Sequence, residues 1–113
     1  MPVTSTEISK YGINVISFSD PNKFFATITL FNDAGNCIAF LRFYSPEDTP
    51  AANEYRADLG HPLISYPASA FQPMVDVLRN EKPMYFTWYD YRPVRCFGGV
   101  GTSREPVGEH EGI

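Results

Sequence analysis

The 113-residue sequence predicts an α+β fold: one antiparallel sheet in the order β-β-β-β-α-β-β, with a single helix packed on one face. Three observations carry this. Two neighbouring runs, Lys23–Phe31 and Cys37–Tyr44, are rich in β-branched and aromatic residues and flank a short polar turn. Phe71, Met74, Val75 and Leu78 repeat at the i, i+3, i+4, i+7 spacing of a helix face. Five of the seven residues from Tyr85 to Tyr91 are aromatic, and strand alternation sorts them: Met84, Phe86 and Trp88 on one side, Tyr85, Thr87, Tyr89 and Tyr91 on the other. The first side suits a dry core. The second, apolar with polar tips, suits a surface that is covered but not sealed.

Taken in order, residues 1–13 show no clear period and read as a loose arm. Asn14–Ser19 can form a short strand, followed by an Asp20-Pro21-Asn22 turn. Asn32-Asp33-Ala34-Gly35-Asn36 then closes a hairpin, since all but Ala34 tolerate left-handed backbone. Ser45–Pro62 holds three prolines and four acids against Arg56 alone. It reads as a solvated loop, with Thr49-Pro50 able to open a short helix. Leu63–Tyr66 is a candidate strand. Ser69 and Gln72 have capping-box spacing for a helix over 69–80, with Arg79 at its negative end, Asn80 to close it and Pro83 to stop it. Pro83–Tyr91 is the aromatic strand. Arg92-Pro93 turns the chain into a strand from Val94, which Gly98, Gly99 and Gly101 loosen, before an acidic tail over 102–113.

The totals fit a single domain spanning 1–113. Ten prolines and eight glycines mean many turns and short helices. The net charge of −4 counts against a protein that works by neutralising phosphates. Met1–Lys10 has neither a basic lead nor an apolar core, and no stretch is apolar enough to span a bilayer. The expectation is therefore a cytoplasmic protein with no membrane partner. Cys37 and Cys96 lack metal or redox spacing and read as buried thiols in a reducing compartment.

No catalytic constellation stands out and no cofactor is implied. His61 lies in a Gly-His-Pro turn and His110 in the acidic tail, and neither has the partner spacing of a metal ligand. Arg95 beside Cys96 can lower a thiol pKa, but no histidine is near in sequence to act as base. Gly98-Gly99-Val100-Gly101 lacks the lysine and the following helix of a phosphate cradle. What the strands do offer is apolar surface. On the hairpin, Phe24, Ala26, Ile28 and Leu30 oppose Phe25, Thr27, Thr29 and Phe31, and neither side is truly polar. One helix shields part of one face. Phe25, Phe31, Ile38, Phe40, Tyr44, Tyr85 and Tyr89 are left as a second face that a homodimer would cover, or that the sheet would bury by curling into a half-barrel. The leading expectation is a homodimer that acts by binding. One alternative is a single-stranded nucleic-acid binder built on 79–104. There five basic and two acidic residues, a local balance of +3, interleave with aromatics; the contact set would be Arg79, Lys82, Arg92, Arg95, Tyr85, Tyr89 and Tyr91. The other is an enzyme or small-ligand binder with a pocket at the dimer seam.

The run from Asn14 to Asn80, four strands and then a helix on a sheet with two apolar faces, resembles the folding unit of the Whirly-like single-stranded-DNA-binding superfamily. Such units pair through sheet and helix into dimers, so the resemblance implies that assembly. It is one of element order and carries over no DNA-contacting residue. Leu78-Arg79-Asn80-Glu81-Lys82-Pro83, with Glu105-Pro106-Val107-Gly108-Glu109 downstream, is also similar to a small bacterial protein family without a known activity.

Overall fold

A computed structural model describes residues 3–16 and 24–102. Among them, eight strands and one α-helix follow in the order β1 (Val3–Ile8), β2 (Lys10–Val15), β3 (Phe24–Phe31), β4 (Cys37–Tyr44), β5 (Glu54–Arg56), β6 (His61–Pro67), α1 (Phe71–Asn80), β7 (Met84–Tyr91) and β8 (Arg95–Gly101). The class is α+β, with mostly antiparallel pairing. The arrangement differs from the single sheet expected: a three-stranded sheet β1-β7-β8 stands beside a five-stranded sheet β2-β3-β4-β6-β5.

The hairpin of β3 and β4 forms as expected, with Gly35 in the left-handed region at φ 89°. The stretch expected to be a loose arm is instead two strands separated by Ser9. β1 pairs with β7 (Val3 opposite Tyr89) and β2 with β3 (Lys10 opposite Phe31), so one extended chain runs from one sheet into the other. Polar residues alternate poorly along 3–15 because both strands are sheet edges, half in solvent, where the amphipathic period is weak. Residues 17–23, including the Asp20-Pro21-Asn22 turn, and residues 103–113 of the acidic tail lie outside the described residues.

Ser45–Pro62 is not wholly loop. Glu54–Arg56 pairs antiparallel with His61–Leu63 around a turn closed by Gly60, whose φ is 82°. β6, foreseen as Leu63–Tyr66, lies parallel to β4 because the chain crosses over before it returns. The helix begins at Phe71, two residues later than expected, and Ser69 does not cap it. A 3₁₀ turn over Ala68–Ala70 lets Phe71 N–H donate to the Ala68 carbonyl, so the orphan donor is already served, and Gln72 reaches forward to Asp76 instead. Asn80 does close the helix, donating to the Asp76 carbonyl at 2.9 Å. Gly98, Gly99 and Gly101 do not loosen β8: the ladder with β7 continues to Gly101 opposite Tyr85.

Both sheets and the helix share one core. Ala26, Ile28, Leu30, Leu41, Phe43 and Ile64 of the larger sheet meet Phe86 and Trp88 of the smaller one and Val75 and Leu78 of α1. Phe71 packs edge-on against Phe43, with centroids 5.1 Å apart. The sheets are closest at β8. A Cβ on Gly98 would sit 2.8 Å from Phe86 Cζ and 3.1 Å from Ile64 Cδ1, so only hydrogen fits there. Asn53 ties the same edge across: its Oδ1 accepts Ser65 N–H at 2.8 Å and its Nδ2 donates to the Cys96 carbonyl at 3.3 Å. Tyr66 Oη adds a bond to the Gly98 carbonyl at 3.4 Å.

Gly98→Ala should therefore cost about 1–3 kcal/mol of unfolding free energy through overpacking. Gly99→Ala, where an added Cβ meets nothing within 4 Å, should change stability little; urea titration of the two variants gives the comparison. Asn53→Ala leaves Ser65 N–H and the Cys96 carbonyl without this partner. It should cost about 1–3 kcal/mol in the same measurement.

Candidate functional site

The seven residues expected to form one outer face are distributed over two sheets. Phe25 turns inward at a bulge between Phe24 and Ala26 and packs edge-on against Phe71, at 5.7 Å. Ile38 lies at a second irregularity and packs against the core. Tyr44 is buried in its own chain, its ring 5.9 Å from Phe24. Phe31 and Phe40 remain half-buried on the five-stranded sheet. Tyr85 and Tyr89 belong to the three-stranded sheet, whose inner face shares the core, so they face away on the opposite side of the molecule.

On β7 the predicted alternation holds. Met84, Phe86 and Trp88 are buried, Tyr85, Thr87 and Tyr89 half-buried, and Tyr91 exposed. Around these tyrosines, the register places Ser5 opposite Thr87, Glu7 opposite Tyr85, Phe97 opposite Tyr89 and Gly99 opposite Thr87. Tyr89 stacks on Phe97 at 4.5 Å and 14°, and Arg95 lies over the Phe97 ring at 5.5 Å. Gly99 and Gly101 carry no side chains, which leaves a shallow groove of about 390 Å³ between the tyrosines and the end of β8. Among the described residues this outer face has one acid, Glu7, and one base, Arg95, at diagonally opposite corners.

The proposed nucleic-acid contacts do not converge. Arg79 and Lys82 flank the start of β7, whereas Arg92 and Arg95 flank its end, about 24 Å away for eight extended residues. Arg92 is engaged by Asp90, with Nε at 2.6 Å from the carboxylate, and its guanidinium lies 5.8 Å from the Tyr55 ring. The hydrogen bond from Arg92 holds the Asp90 carboxyl below its ordinary range.

The thiols are unpaired, and neither is activated. Cys96 donates to the Asn53 carbonyl at 3.4 Å, and burial pushes its pKa up, outweighing the opposite pull of Arg92. Burial also raises the Cys37 thiol. His61 Nδ1 lies 3.2 Å from the Pro62 carbonyl. Among the described residues no group of three or more His, Cys, Asp or Glu side chains gathers to hold a metal, and no helix is long and apolar enough to cross a membrane.

One residue escaped sequence reasoning. Arg42 is the only charged residue in β4 and is buried, 8% exposed, on the outer face of the five-stranded sheet. Its signal was there: a lone charge inside an eight-residue apolar strand needs a partner. Its Nη2 donates to Ser65 Oγ at 3.0 Å and to the Ala52 carbonyl at 3.4 Å, while its Nε has no partner among the described residues. No protein-family model, no curated protein and no solved structure matches the chain.

Because the folded-state pKa of Asp90 is depressed, its favourable contact with Arg92 is present above the ordinary carboxylate range and is lost as pH falls through the folded value. Arg92→Ala should move the Asp90 titration upward, toward that ordinary range. Carboxyl-carbon NMR would register the change, and an unmoved titration would show that Arg92 is not its cause.

Proposed function

We propose that the protein is a homodimeric binding module whose two copies meet through the outer face of the β1-β7-β8 sheet. The observation that carries this is the composition of that face: half-buried Tyr85, Thr87 and Tyr89, the Tyr89–Phe97 stack, and a side-chain-free strip at Gly99 and Gly101 against which another surface can lie closely. Charge placement favours a second copy as the occupant. In a face-to-face pair, a two-fold axis lying in the sheet plane across the Glu7–Arg95 diagonal sets Glu7 of each copy over Arg95 of the other. Like charges never meet in that arrangement, which is what a self-complementary interface requires.

A second reading, retention of single-stranded nucleic acid, draws support from the same Tyr89–Phe97 stack with Arg95 above it, since bases stack on such rings. It has less behind it. Arg79 and Lys82 are remote, Arg92 is paired, and the net charge is −4.

Sedimentation velocity tests the first reading. The native chain should sediment as two copies and Tyr89→Asp as one. Glu7→Arg should weaken the pair, and adding Arg95→Glu should restore it. A native chain that sediments as a single copy at micromolar concentration rejects the dimer. Retention on oligothymidine that falls steeply with salt and with Arg95→Ala would favour the second reading.

A further inference from the structure

The geometry points to a binding site for a small carboxylate with an apolar body, centred on Arg42 on the outer face of the five-stranded sheet. A cavity of about 340 Å³ opens there, within the size range of small-molecule sites. Arg42 lines it together with the apolar side chains Phe24, Phe40, Leu59 and Leu63 and with Arg56 and His61. No carboxylate is among the described lining residues. Arg56 is already committed to Asp58, with its two nitrogens 2.8 and 2.6 Å from that carboxylate, so its charge is compensated. Arg42 is not compensated. Among the described residues its bonds are to one hydroxyl and one carbonyl, both neutral, and the Nε–H has no acceptor.

A guanidinium taken out of water costs several kcal/mol unless an anion faces it. Here the cost has not been relieved by the surrounding strands: Thr27 and Ser65, its cross-strand neighbours, are neutral. With the Nη2 hydrogens taken by Ser65 and Ala52, the Nε–H is the donor left for a carboxylate oxygen, and the phenyl and leucyl walls would enclose a hydrocarbon body that phosphate or sulfate lacks. Loop residue Ala52 and β6 residue Ser65 hold Nη2 from one side, which orients the group before a ligand arrives. The site lies on the opposite side of the molecule from the proposed dimer face, so the two assignments stand or fall separately.

Sodium benzoate is the probe, titrated into the intact protein while the Arg Nε–H resonances are followed by NMR. Benzoate should shift the Arg42 Nε–H saturably in the millimolar range or tighter and should raise the thermal midpoint. Acetate, which lacks the apolar body, and benzyl alcohol, which lacks the charge, should each bind more weakly. Arg42→Gln should weaken benzoate roughly tenfold to a hundredfold. Arg42→Lys, which keeps the charge and loses the Nε–H donor, serves as a second variant and should also weaken benzoate, and the native-protein resonance needs no variant at all. An Arg42 resonance that does not move under saturating benzoate overturns the proposal. So does binding that is equal in native protein and Arg42→Gln.

Discussion

The closeness of β8 to the five-stranded sheet at Gly98 is the constraint on which the rest of the molecule depends. Because Phe86 and Ile64 press against a bare Cα, the two sheets share one dry interior in place of two thin ones. A 113-residue chain has little apolar material to spare, and pooling it between two sheets and a helix gives one continuous core. Once the interior is pooled, each sheet is left with a single outward face. The proposed dimer face and the proposed carboxylate site lie one on each of these faces.

The loop before β6 is the second organising element. Asn53 fastens it to β8 and to Ser65, and Ala52, one residue earlier, supplies a carbonyl to Arg42. Ser65 joins both arrangements: its backbone N–H serves Asn53 and its hydroxyl serves Arg42. The stitch between the sheets and the orientation of the buried guanidinium are therefore parts of one hydrogen-bonded chain. Each member depends on its neighbour, as expected where polar groups are removed from water.

Much of the local structure was legible. The hairpin, the helical stripe and the alternation along Met84–Tyr91 are short-range patterns, and each appears in the structure, the hairpin with Phe25 and Ile38 displaced at its two irregularities. What was not legible depended on distant partners. Val3–Ile8 is a strand only because β7 offers it an edge. Phe25 left the outer face because a bulge, invisible in residue type, advanced the alternation by one position. Counting faces on one sheet placed Tyr85 beside Phe40, whereas a second sheet separates them. Arg42 was readable as an oddity, but its isolation could be judged only with its surroundings in place.

The passage of one extended chain from β1 through Ser9 into β2 has a consequence for biosynthesis. β2 finds its mate soon after emerging, since β3 follows closely in sequence, but β1 must wait until β7 has been translated. During that interval Val3–Ile8 is an unsatisfied ribbon tethered to a nearly finished sheet. Such a ribbon is the part of a nascent chain most open to capture by a neighbour or a chaperone, and the late closure of so wide a loop is a source of slow folding.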